Sequence, residues 1–189
     1  MTQPAYFVAL TVAATGYGIM ILGMTATPIA MKHSHYGLNS IATVIQLHVL
    51  GMFLPSFFTG SLIARFGQFK IMLAGITCFF GYIIIGLSNN IYAFSTALIL
   101  LGIGWNFLFI TGTALLTTTY NNSEKSKAQA INDMSIFAIG LICSFSAAGL
   151  LNYLGWKNMN LLLIIWLVAL TSLLVWFNFK KNNKPRVNY

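Results

Sequence analysis

Six long apolar runs, joined by short polar links, constrain the fold of this chain more than any other feature. They cover residues 6–31, 40–64, 71–87, 92–118, 128–153 and 158–179. A helix needs about 20 apolar residues to cross a bilayer core. In lipid only helices and closed barrels satisfy every backbone polar group, and these runs lack the alternation of barrel strands. The sequence therefore predicts an all-α polytopic membrane protein with six transmembrane helices, in one domain over residues 1–189 with a basic tail at 180–189.

The composition excludes a water-soluble fold. Charged residues make up 6% of the chain and apolar residues 58%, whereas soluble domains carry about 25% charged residues. The net charge of +8 is scattered over links and tail rather than gathered on one face, so no nucleic-acid partner is predicted.

Cys78 and Cys143 lie inside apolar runs, where thiols behave as small hydrophobes. No cofactor or metal site is predicted, and the absence of Lys and Arg before the first run argues against a cleaved signal peptide.

Alternate links lie on opposite sides of the membrane, and they share the cations unevenly. One side receives eight of the ten Lys and Arg residues: Arg65, Lys70, Lys125, Lys127, Lys180, Lys181, Lys184 and Arg186. The other receives Lys32 and Lys157. Because Lys and Arg are in excess on the cytoplasmic side, both termini are predicted to be cytoplasmic. The link with His33 and His35 then faces outward, and it is interpreted as a solvated loop.

Polar residues inside the spans indicate where a cavity would lie, because polar groups that face lipid are costly. They concentrate in the first, second, fourth and fifth spans and are scarce in the third and sixth. The candidates for cavity-lining or proton-linked roles are Gln46, His48, Trp105, Asn106 and Asp133. Four spans are therefore predicted to surround a cavity, and the third and sixth to face lipid.

These candidates have structural as well as functional interpretations. Histidine changes its charge near physiological pH, so His48 suits proton transfer, or it is a neutral ring bonded to a neighbouring helix. Asp133, the only acidic residue in a span, is a proton or cation site. Alternatively, it lies near the start of its helix, where the dipole favours it, and pairs with a cytoplasmic arginine. Trp105 and Asn106 offer hydrogen bonds to a solute, or Asn106 bonds between helices.

A proline interrupts the second span. Pro55 lacks the amide hydrogen that the carbonyl of Gly51 would accept in a regular helix. Gly51 and Pro55 are therefore predicted to kink this helix. The kink either shapes the packing or acts as a moving gate, and the sequence leaves both open.

A polar hinge at residues 60–70 joins the second and third spans. It is similar to the loop signature of the major facilitator superfamily of transporters, Gly-x-Leu-Ala-Asp-Arg-x-Gly followed by basic residues. Gly60, Leu62, Arg65 and Gly67 match, Lys70 supplies a basic residue near the end, and Ala64 and Gln68 depart from the pattern. Residues 16–20, 24–31, 46–60 and 102–109 look like a branch of bacterial inner-membrane permeases. Since the signature is degenerate in the second half of such proteins, the chain resembles the carboxy-terminal six-helix half.

This resemblance implies two inverted three-helix repeats and secondary active transport of a small solute by alternating access. It implies an amino-terminal six-helix half as partner, and the chain is then a half or a fragment of a transporter in the lipid bilayer of a bacterial inner membrane. The hinge residues become a conformational latch, in which Arg65 is hypothesised to pair with Glu124 or Asp133.

Two other classes of function are considered. One is a membrane-embedded interaction or assembly protein without transport activity of its own. The other is a six-helix membrane enzyme, which would need a Gly-x-Ser-Gly or His-Glu-x-x-His motif. Neither motif occurs in the sequence, so the chain is not predicted to be an enzyme.

Overall fold

The computed structural model of the chain describes residues 4–182. Its helices are α1 (Pro4–His33), α2 (Leu38–Phe53), α3 (Ser56–Phe66), α4 (Gln68–Ile85), α5 (Ile91–Leu116) and α6 (Lys125–Asn182). Helices α2 and α3 are two parts of one apolar segment, Leu38–Phe66, and five such segments are long and apolar enough to cross a membrane. The part of the predicted tail at residues 183–189 lies outside the described residues.

The long helix α6 consists of two arms. Gly155 has φ 75° and ψ 166°, which interrupts the helix, so we call residues 125–154 the first arm and 156–182 the second arm. Side chains from residues 139–150 and 162–169 line one groove, which requires the second arm to run back alongside the first. The described chain therefore has six spans, and the prediction of an all-α, six-span membrane protein is confirmed.

Helices α1 and α5 form the centre of the bundle and run antiparallel. Small residues let them approach closely: a Cβ added at Gly112 would lie 3.0 Å from the backbone of both Ala9 and Ala13. Near the other end, Gly23 lies against Leu101. In lipid, small residues of this kind allow helices to pack tightly where the hydrophobic effect supplies no driving force.

The other spans are arranged around this central pair with an internal symmetry. Helix α5 packs against α2 and α4, and α1 packs against the arms of α6. If spans one, two and three are exchanged with spans four, five and six, the neighbours of α5 become the neighbours of α1. The glycines at the two equivalent links, Gly67 and Gly155, have nearly the same backbone angles. This is the arrangement expected of two inverted three-helix repeats.

The back of the bundle is formed by α4 and the second arm. They lie antiparallel: Trp156 donates to the carbonyl of Gly86 near one end, and Leu174 shares a pocket with Leu73 at the other. We call the end that carries the link between α3 and α4 the hinge end. The start of α1 and the start of the first arm also lie at the hinge end, where Tyr6 Oη donates to the Ala128 carbonyl over 3.1 Å.

Candidate functional site

The second span breaks where the sequence places a proline. Helix α2 ends at Phe53 and α3 begins at Ser56. The two residues between them keep right-handed helical angles, so the chain continues through the break without reversing. Pro55 has no amide hydrogen to offer to Gly51, and the Pro55 carbonyl accepts from the amides of Phe58 and Thr59.

Asn106 of α5 forms hydrogen bonds with residues on both sides of this break. Its Nδ2 donates to the carbonyl of Met52 at 2.8 Å and to Ser56 Oγ at 2.6 Å. Its Oδ1 lies 2.6 Å from Thr59 Oγ1, so one amide bonds to α2 and to α3. Asn106 and Thr59 are fully buried. Such a network is costly to leave half-made in a medium without water.

His48 lies in the contact between α2 and α5, with no exposed surface. Its Nδ1 is 2.8 Å from the carbonyl of Leu98, and because a carbonyl can only accept, Nδ1 carries the hydrogen. Glycines bring the two backbones together here: a Cβ at Gly51 would be 2.7 Å from the Ile99 oxygen, and one at Gly102 would be 2.7 Å from the His48 oxygen. This matches the interhelical bond that the sequence left open for His48.

A chain of aromatic rings crosses the opposite side of the bundle from α4, and we call it the aromatic array. Its members come from four different spans: Phe53, Trp105, Phe109, Tyr17 and Phe137. Trp105 stacks on Phe109 with ring centroids 5.1 Å apart and meets Phe53 edge to face at 6.4 Å. Tyr17 continues the array, at 6.3 Å from Phe109 and 6.0 Å from Phe137.

The array is open on its outer side. Phe53 is 58% exposed and Phe137 64% exposed, while the three central rings are half-buried. Trp105 Nε1 is buried and has no hydrogen-bond partner among the described residues. The exposed rings at the two ends of the array can stack on a planar molecule.

Two polar candidates lie on the same face as the array. Gln46 is exposed and stands two helical turns before Phe53 on α2. Asp133 is exposed and stands one turn before Phe137 on the first arm, and its Oδ1 accepts from Asn132 Nδ2 at 3.1 Å. The structure thus brings Gln46, Trp105 and Asp133 to one surface and leaves His48 and Asn106 behind it.

The hinge residues lie apart from the aromatic array. Gly67 ends α3 in a left-handed conformation with φ 85°, which suits a glycine. The guanidinium of Arg65 lies 5.3 Å from the ring of Phe66, and Gly60 and Lys70 are exposed while Leu62 is half-buried. In this conformation the described residues hold no ion pair between Arg65 and either Glu124 or Asp133. The hypothesised contact is not formed in this structure, and the latch stays a prediction.

Sequence reasoning missed most of the array and the partners of Asn106. Tyr17, Phe53, Phe109 and Phe137 were not candidates, because apolar rings are ordinary in a transmembrane span. The four-residue spacing of Trp105 and Phe109, which puts both rings on one helical face, was the available signal. Among the described residues no group of three His, Cys, Asp or Glu side chains could hold a metal ion.

These features define a class: an integral membrane helical bundle of two inverted repeats with one open, ring-lined face. The family model described as Major Facilitator Superfamily matches residues 8–188. The chain belongs to this family, whose members are membrane transporters and not enzymes. The family assignment made from the hinge is therefore confirmed.

The curated relatives are longer transporters. The riboflavin transporter RfnT of Brucella anthropi is 41% identical over 169 residues, which cover 89% of this chain and 41% of that protein. The uncharacterized MFS-type transporter YddS of Bacillus subtilis is 36% identical over 65% of this chain and 29% of its own. The drug efflux pump JefA of Mycobacterium tuberculosis is 29% identical over 86% of this chain and 35% of its own. The chain thus spans less than half of each relative, and no solved structure matches it significantly.

Proposed function

We propose that this chain is one six-helix half of a secondary transporter that moves a planar aromatic solute across the membrane by alternating access. The observation that carries the proposal is the aromatic array, which draws its rings from four spans. These are the first, second, fourth and fifth, in which the sequence concentrates its polar residues. A surface assembled from so many helices changes shape when the helices move, as a solute site in a transporter must.

The large exposed surface of α2 and α3 supports the proposal that a second half covers this chain. Only 22% of the most apolar 18-residue stretch of α2 and α3 is buried, compared with 67% of the most apolar stretch of α1. A partner that covers the outer face of α2, α3 and the first arm would enclose the aromatic array between two six-helix halves. We infer that this partner is an amino-terminal half, and that the present chain corresponds to the carboxy-terminal half.

The chemistry of the array suggests the solute. Stacking on an aromatic side chain contributes about 1–3 kcal/mol per ring system for nucleobases, and the exposed side chains of Gln46 and Asp133 add polar groups on the same face. A planar heterocycle with polar edges uses both. The relatives named as a riboflavin transporter and a drug efflux pump agree with such a solute, and Asp133 beside Phe137 gives the surface one negative charge for a proton or a cationic group.

Alternating access also needs an element that bends. The break at Leu54 and Pro55 lies on the second span, and Asn106 holds both of its sides to the central helix. We infer that α2 and α3 pivot about this fastening. The hinge residues Gly60, Leu62, Arg65, Gly67 and Lys70 then act as a latch on the side that the excess of cations predicts to be cytoplasmic.

The exposed surface around the aromatic array equally suits a protein that only assembles with a membrane partner. The two functions differ in what Trp105 contributes. In an assembly surface its loss weakens association, and in a solute site its loss weakens solute binding while association persists.

The test is to replace Trp105 with alanine. Riboflavin serves as a fluorescent planar probe, and its binding is measured by fluorescence anisotropy. The protein is purified from native membranes together with the second transporter half that associates with it. Loss of one stacking ring is expected to weaken binding about 10-fold or more, whereas Trp105→Phe keeps most of the affinity. Trp176→Ala, which removes an exposed ring of the second arm, is the matched control. Equal affinities for Trp105→Ala and Trp176→Ala would exclude the aromatic array as the solute site.

A further inference from the structure

A second pocket lies at the hinge end, on the back of the bundle. It encloses about 570 Å³ between the start of α4, the end of α5 and the end of the second arm, a volume typical of small-molecule sites. Its residues include Gln68, Lys70, Leu73, Leu115, Leu174 and Asn178. The pocket is separate from the aromatic array, since none of the five rings of the array lines it.

The walls of this pocket have two chemistries. Lys70 is exposed and carries a positive charge, and Gln68 and Asn178, which are half-buried, line the same pocket. The deeper wall is apolar, with Leu174 fully buried and Leu115 nearly so. No acidic residue lines the pocket, so its electrostatic preference is for an anion.

The position of the pocket identifies the source of that anion. Helix α4 and the second arm are the back of the bundle, and they belong to the two spans that carry few polar residues. Trp176 and Phe179 of the second arm are exposed to the surroundings, which in a membrane are lipid. A second cation, Lys180, lies 5.0 Å from the Trp176 ring at the same end of the second arm, outside the pocket, and such pairs of cation and aromatic ring are common at a membrane interface.

We propose that this pocket binds an anionic phospholipid, with the phosphate at Lys70 and one acyl chain along the apolar wall. Basic pockets between transmembrane helices are known to bind anionic head groups at the membrane surface. A lipid seated here bridges α4 and the second arm directly behind the hinge. It therefore stabilises the packing of the two outer spans, and this inference does not depend on the proposed solute.

The experiment compares Lys70→Gln with the unchanged chain after purification in a mild detergent. Native mass spectrometry measures the retained lipid, after incubation with equal amounts of phosphatidylglycerol and phosphatidylcholine. Because one cation near a lipid surface contributes about 1 kcal/mol, Lys70→Gln is expected to reduce bound phosphatidylglycerol about fivefold. Lys70→Arg keeps the charge and is expected to retain it. Lys70 is exposed, so both variants should fold.

Lys157→Gln is the matched control, because it removes an exposed cation from the opposite end of the bundle. It is expected to leave phosphatidylglycerol binding unchanged. Equal loss in Lys157→Gln and Lys70→Gln, or no loss in either, overturns the proposal. A separate arm measures thermal stability with inorganic phosphate. If phosphate stabilises the chain as much as phosphatidylglycerol does, the pocket takes a soluble anion, and the lipid assignment is wrong.

Discussion

Replacing Gly102 with alanine is expected to lower the stability of the chain by about 1–3 kcal/mol, the usual cost of overpacking a fitted contact. The added Cβ would lie 2.7 Å from the His48 carbonyl oxygen and 2.8 Å from the backbone of Gly51. These are backbone atoms that cannot rotate away, so α2 must move off α5. Thermal unfolding in detergent, followed by reaction of a thiol dye with the buried Cys143, measures the loss.

Gly149 provides the control for this substitution. It lies inside the first arm, and a Cβ added there meets no atom within 4 Å. Alanine is a better helix former than glycine by about 0.8–1.0 kcal/mol, so Gly149→Ala is expected to leave stability unchanged or raise it. If Gly102→Ala is as stable as Gly149→Ala, the backbone contact between α2 and α5 is not as close as the structure has it.

The second large effect is expected for Asn106→Leu. Leucine fills a similar volume but leaves the Met52 carbonyl and the Ser56 and Thr59 hydroxyls without their interhelical partner. Leaving a buried polar group unsatisfied costs about 1–3 kcal/mol, and the break in the second span loses its fastening. We expect a lower unfolding temperature in the same dye assay, together with slower solute exchange if α2 and α3 pivot there.

Asn160→Leu tests whether the partners, rather than burial alone, explain this effect. Asn160 is also fully buried, but its Nδ2 donates only to the Trp156 carbonyl one turn earlier in its own helix. Its replacement should cost much less. A double-mutant cycle of Asn106→Leu with Thr59→Val isolates the bond across the break. Additive losses would mean that the two side chains do not interact.

The sequence predicted the number of spans and the family because those depend on local features. A run of about 20 apolar residues has to be a helix in lipid, and the hinge residues are contiguous. The lipid-facing role of the third and sixth spans rests on the same kind of count of polar residues and stays a prediction. Each of these inferences needs only the residues of one segment.

The site could not be predicted in the same way. Lipid-facing and protein-facing positions of a span are both apolar, so no amphipathic stripe marks the face on which Phe53 or Phe137 lies. Asn106 bonds to residues 47, 50 and 54 positions away, and no local pattern encodes that pairing. His48 was expected as readily in a cavity as in a helix contact, and the two glycines that bury it come from different spans.

The central claim is that the aromatic array faces a water-accessible solute cavity. Cysteine at Phe137, in a chain with Cys78 and Cys143 replaced by alanine and expressed from its natural locus, is labelled with a membrane-impermeant methanethiosulfonate. Ile165→Cys is the control, because Ile165 is 69% exposed on the second arm, close to the 64% of Phe137. The account predicts labelling at 137 that riboflavin slows, and little labelling at 165. Equal, riboflavin-independent labelling at the two positions would contradict it.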